Sequence, residues 1–206
     1  MAVDLRLSTS GMGDWPSLLK FEAVVPDIRS IAATKPSDVA RFVWNSLDAE
    51  SQKGGVRGKI FVICLAAVLL RERITPFYVN CGVHGIPNHK WDFVMVREDG
   101  SVVVISANVA LRERWSSEHL AAWALKKQKG SSCAAYIVIE HEGEAAQMRN
   151  RIHSREVEFL DGSAQAFSAE FDELIESLRG QTFVNLPGVI NRGTAAQQLG
   201  VGPVGA

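Results

Sequence analysis

An α/β fold, with a mixed central sheet flanked by helices, is predicted by the order in which helical and strand patterns follow one another. Three observations carry it. Residues 58–72 form an apolar run too long for a strand, closing on Arg71-Glu72-Arg73, whose cations suit a helix C-terminus. Residues 91–96 and 102–105 are β-rich and are separated by Arg97-Glu98-Asp99-Gly100, in which Asp-Gly is a good hairpin turn. A helical stretch from near Ser116 or Ser117 then leads to a further buried strand at residues 134–139, which calls for a crossover connection.

Residues before about Pro36 mix Gly, Ser and Pro with short apolar stretches and give no firm element. Ser37 offers an N-cap after Pro36, with Val39, Phe42, Val43 and Leu47 at helical spacing until Lys53-Gly54-Gly55 breaks the pattern. After the apolar helix, residues 76–79 supply Phe77, Tyr78 and Val79 to a first strand of the sheet. Leu120, Trp123 and Ala124 mark one face of the next helix, which Lys126, Lys127 and Lys129 close before Gly130-Ser131-Ser132. A polar helix is expected at 144–152 and an edge strand at 156–160. Phe171, Leu174, Ile175 and Leu178 mark a final amphipathic helix from near Ser168. The domain reading is an N-terminal helical or irregular segment at 1–54, a core at 55–186 and a flexible tail at 187–206, rich in Gly, Ala and Gln.

The 206 residues suffice for one domain with a full core, and 47% hydrophobic with 22% charged residues exclude a collagen-like or wholly disordered chain. The formal net charge of −1 offers no global attraction to phosphate, so any nucleic-acid surface must be a local patch. Cys64, Cys81 and Cys133 are too scattered for a disulfide framework or a zinc site, and reduced thiols point to the cytoplasm. No signal-peptide pattern opens the chain, and residues 60–70 fall short of the ~20 needed to cross a bilayer, so no membrane partner is expected.

Gly11-Met12-Gly13 lacks the strand and helix of a phosphate loop, the histidines never fall at metal-binding spacing, and no nucleophile elbow occurs. Two features remain. Asp92 is a carboxylate inside an apolar strand, either a satisfied structural group or a metal or catalytic ligand. Leu111-Arg112-Glu113-Arg114-Trp115 lies at a strand-to-helix corner, where it forms either a surface ion-pair cluster or a groove reader. In a DNA groove, Arg donates two bonds to guanine while Glu accepts from the cytosine amino group.

Several stretches follow one another as in type II restriction endonucleases of the PD-(D/E)xK superfamily. They are Ile74-Thr75-Pro76-Phe77-Tyr78, Pro87-Asn88, Asp92, Ser106-Ala107-Asn108-Val109-Ala110-Leu111-Arg112-Glu113-Arg114-Trp115 and Ala124-Leu125-Lys126. Arg57-Gly58-Lys59-Ile60-Phe61 is similar to the opening of that family's first helix. The resemblance, over roughly residues 55–140, is to a group reading cytosine/guanine-rich sites. It implies a restriction-endonuclease-like αβββαβ core, Mg²⁺-assisted phosphodiester hydrolysis, and duplex DNA read by Arg112, Glu113 and Arg114 with Lys126 and Lys127 nearby. It also implies a homodimer, or pairing with an active homologue, on a two-fold site.

Carried over position by position, Asp92 matches the metal-binding aspartate. Asn108 stands where the family has its catalytic lysine, while the family's two further glutamate positions fall on Val62 and Ala121. Loss of an ammonium where negative charge develops is expected to impair cleavage, and a lone carboxylate holds Mg²⁺ weakly. Lys90, two residues before Asp92 and on the same face of a continuous strand, is the candidate for a relocated lysine, and Glu118 lies one turn before Ala121. The expectation is a sequence-specific duplex DNA-binding protein. The alternatives are an active Mg²⁺-dependent nuclease using Lys90 and a protein-interaction module that keeps only the fold.

Overall fold

The computed structural model describes residues 7–9, 28–47, 54–86 and 88–185. The expected tail, Gly11-Met12-Gly13 and most of the N-terminal segment lie outside the described residues.

Helix α1 (Pro36–Ser46) starts with Pro36 inside its first turn, where the missing N–H costs nothing. Ser37 is therefore not its cap. Its backbone N–H and hydroxyl instead donate to the Asp172 carboxylate at 2.7 and 3.0 Å, so a later helix closes the start of this one. Val39, Ala40, Val43 and Trp44 form the buried face, and Phe42, expected there, is 51% exposed. Asp172→Ala removes the partner of two donors and is expected to cost about 1–2 kcal/mol of stability, read from urea unfolding.

Helix α2 (Gly54–Arg71) follows, and every residue from Ile60 to Leu70 is buried, as befits a helix apolar on all sides. It closes where Arg73 adopts a left-handed φ of 59° and Ile74 N–H reaches the Leu69 carbonyl at 2.9 Å. Strands β1 (Leu7–Thr9), β2 (Tyr78–Val83), β3 (Trp91–Val96), β4 (Val102–Asn108), β5 (Ala134–Ile139) and β6 (Gly162–Gln165) form one six-stranded sheet in strictly sequential order. The first four pair antiparallel, and β4, β5 and β6 run parallel. Helix α3 (Trp115–Lys129) makes the first crossover and helix α4 (Glu142–His153) the second; α5 (Ala169–Arg179) completes the chain's described elements.

The pleat divides the core into two layers. Phe93, Met95, Val103 and Ile105 face α1, α2 and α5, whereas Val94, Val104, Ile137 and Ile139 face α3 and α4. The predicted mixed sheet flanked by helices, with the order αβββαβ from α2 to β5, is the fold observed. No helix among the described residues is long and apolar enough to cross a membrane.

Two further local expectations fail. Helix α3 buries Ala121, Ala122 and Leu125, leaving Leu120 63% and Trp123 37% exposed. The edge strand expected at 156–160 is a series of turns, and the last strand is Gly162–Gln165. Gly162 fits because a Cβ there would sit 3.3 Å from the Tyr136 ring. That close approach outweighs its weak strand propensity.

Candidate functional site

Asp92, Asn108 and the Arg112–Arg114 turn gather where β3 begins and β4 ends, near the first turn of α3, whereas Lys126 and Lys127 lie in the last turn of that helix. The ladder between the two strands runs to Phe93 opposite Ile105. Just beyond it, the Asp92 Oδ2 accepts the backbone N–H of Ala107 at 2.7 Å. Ser106 donates its hydroxyl to Glu118 Oε2 at 2.5 Å, tying strand to helix. His89 Nε2 lies 3.5 Å from the same Glu118 oxygen, and its ring stands edge-on to Trp91 with centroids 4.6 Å apart.

Asp92 as a whole is only half-buried, yet its carboxyl is deep enough that burial pushes its pKa up to about 7. The negative charge of Glu118 works in the same direction, while the Ala107 N–H, His89 and Arg114 oppose it. A buried carboxylate with a second negative charge nearby keeps its proton more readily than it would in water. Glu118 thus comes to Asp92 although it lies a turn before the family position.

Asn108 is 6% exposed, and its side-chain Nδ2 has no partner among the described residues. Its backbone carbonyl accepts from Glu140 N–H at 2.9 Å, which extends the β4–β5 ladder by one bond. Its parity within β4 is that of Ser106, so both belong to the face covered by α3. Lys90 falls one residue outside β3 and is exposed. Val62 and Ala121, where the resemblance led one to expect glutamates, are 4% and 6% exposed and belong to the apolar core.

These residues do not fit a Mg²⁺ site. Magnesium needs several oxygen ligands arranged in advance. Glu118 already accepts from Ser106, Asn108 presents an unpaired donor, and among the described residues no three His, Cys, Asp or Glu side chains converge to hold a metal ion.

The Arg-Glu-Arg corner is a single 3₁₀ turn, Arg112–Arg114, between buried Leu111 and the half-buried Trp115. Arg112 has a φ of 44°, and both arginines are exposed. Neither guanidinium is in an ion pair among the described residues, in contrast to Arg57, Arg71, Arg149, Arg151 and Arg179. Lys126 is engaged internally, 2.8 Å from Asp161 Oδ1, while the other oxygen of Asp161 accepts from Ala135 N–H. Lys127 is exposed and its Nζ lies 4.7 Å from the centre of the Trp123 ring.

Sequence reasoning missed His89 and Glu144. The Glu144 carboxylate of α4 accepts from the backbone N–H groups of both Leu111 and Arg112. No local pattern marks such a contact, since a helix two elements away supplies it.

No protein-family model matches the chain, and no curated protein matches it. Among solved structures, a complex of the restriction endonuclease PspGI with its substrate DNA is similar at a TM-score of 0.48 and 13% identity, over 70% of this chain and 79% of that one.

Proposed function

We propose that the chain is a sequence-specific duplex DNA-binding domain that reads bases through Arg112, Glu113 and Arg114 and cleaves poorly or not at all. The observation supporting it is that the Arg112 and Arg114 side chains are exposed and in no ion pair among the described residues. Guanidinium groups without ion-pair partners retain their donors for an external acceptor, and guanine offers two in the geometry Arg prefers. Lys127 extends the positive surface along α3, with Lys126 a lesser contributor because Asp161 holds it. A cytoplasmic homodimer on a two-fold site, or a partnership with an active homologue, belongs to the same proposal.

The second reading, an active nuclease with a relocated lysine, draws on the approach of Glu118 to Asp92. The exposed position of Lys90 outside β3 gives it little further support.

Binding-site selection from a randomised duplex library, followed by gel shift, tests the proposal. Arg112→Ala and Arg114→Ala should each weaken the selected site by about 1–3 kcal/mol and leave random duplex far less affected. Lys127→Ala should weaken both duplexes alike and flatten the salt dependence. A chain that selects no sequence leaves the interaction-module reading in the lead.

A further inference from the structure

We infer that Glu144 is a positioning residue that holds the Arg112–Arg114 corner in the conformation used for base reading, an inference that rests on the DNA-binding proposal above. One carboxylate oxygen, Glu144 Oε2, accepts the N–H of Leu111 and, at 3.2 Å, the N–H of Arg112. At the far end of the turn, the Ser117 hydroxyl donates to the Arg114 carbonyl at 2.7 Å, but neither that bond nor burial of Leu111 reaches the Arg112 N–H. Leu111, at the N-cap position, supplies no side-chain cap of its own, and inside the turn the Arg114 N–H closes on the Leu111 carbonyl at 2.8 Å.

Arg112 nevertheless sits at a φ of 44°, a left-handed conformation that a side-chain-bearing residue keeps only when its surroundings impose it. Glu144 is well placed to impose it. It occupies the first turn of α4, where the helix end favours a carboxylate, and its own N–H is directed at His141 Nδ1 at 3.4 Å. On the other side of the corner, the Arg151 guanidinium covers the Trp115 ring at 4.2 Å. Between these supports lies a cavity of about 90 Å³ lined by Leu111, Arg112, Trp115, Glu144, Met148 and Arg151. That space gives the turn somewhere to relax once the carboxylate is gone.

Relaxation of Arg112 to a right-handed φ would swing its guanidinium away from its present direction. Bidentate base contacts tolerate little displacement, whereas attraction to phosphate tolerates much. Discrimination between sequences therefore depends on Glu144, and affinity for random duplex does not.

The test compares Glu144→Ala, Glu144→Asp and Glu144→Gln in the full chain, using the duplex recovered by selection and a random duplex of equal length. Gln keeps the reach and an accepting oxygen but loses the charge; Asp keeps the charge but is one methylene too short. Asp and Ala should each reduce the selected-to-random affinity ratio by about tenfold, while Gln retains most of it. Random-duplex affinity should stay within about twofold throughout, given how little a single distant charge changes a phosphate-driven interaction. In the free protein, amide exchange at Leu111 and Arg112 should quicken in the Asp and Ala variants and not in Gln. The reverse order, with Asp like the parent and Gln like Ala, overturns the inference, because charge rather than hydrogen bonding would then be what matters. Unchanged ratios in a folded Asp variant overturn it too, and leave DNA recognition standing. A parent chain without sequence preference overturns both.

Discussion

Supercoiled plasmid incubated with the protein and Mg²⁺ is expected to stay intact, and Asn108→Lys alone is expected not to change that. Losing one group that stabilises transition-state charge typically costs about 10²–10³ in rate. On the proposed reading, Asn108 stands where a catalytic lysine would be, and Val62 and Ala121, both inside the apolar core, stand where two further carboxylates would be. A lysine at 108 would restore the cation and leave the ion without its oxygen ligands, so the larger part of the deficit remains. Agarose gels with Mg²⁺ and with Mn²⁺, alongside a gel shift to show that DNA is bound, make the measurement. Site-specific cutting by the parent chain would point to Lys90 and Glu118; cutting only by the Asn108→Lys variant would mean that Asp92 and Glu118 suffice as the acidic pair.

A second large effect is expected in stability against pH. The Asp92 carboxyl is raised from 3.8 to about 7 in the folded, metal-free protein. Between those values the folded state holds a proton that the unfolded state has released, so unfolding free energy falls as pH rises. The contribution is fully present below about pH 4 and gone above about pH 7. Asp92→Asn fixes the neutral form and can still accept the Ala107 N–H through its side-chain oxygen. At pH 8 the variant should exceed the parent in stability by on the order of 2–4 kcal/mol, with the difference vanishing near pH 4. Thermal melts of both proteins from pH 4 to 8 decide it. A parallel pair of curves would mean that Asp92 is ionised at ordinary cost.

The element order was legible in the sequence because it rests on periodicity and length. Val102 to Ile105 could only be a strand, and Ile60 to Leu70 could only be a long buried helix. The errors arose where close packing overrode propensity. Gly162 takes a strand position against Tyr136 because it has no Cβ, and no propensity scale favours Gly-Ser-Ala-Gln there. On α3, Leu120 and Trp123 are the larger apolar residues, yet Ala121 and Ala122 take the buried side.

For the candidate site, Asp92, Asn108 and the Arg-Glu-Arg corner stood out as oddities of their local context. Their supports did not. Glu144 reaches Leu111 and Arg112 from another helix, and His89 meets Glu118 from a loop; such contacts between distant stretches leave no spacing in a single sequence.

The sequential strand order has a consequence for how the molecule assembles. From β2 to β6 every pairing joins stretches that are close along the chain, connected by a turn or by one helix, so the ends are brought together at small entropic cost. The exception is β1, whose Leu7 to Thr9 pair with Val83 to Cys81 across all of α1 and α2. It can dock only after its template exists, and it contributes just three residues to the ladder. The β2–β4 meander and the α3 crossover, which carry Asp92, Asn108 and the Arg112–Arg114 turn, are therefore the expected folding nucleus, with high φ-values as the check. The N-terminal strand, with three residues in the ladder and a long closing loop, is expected to exchange its amide protons faster than β2–β4, so its loss should leave the strands that carry Asp92 and Asn108 paired.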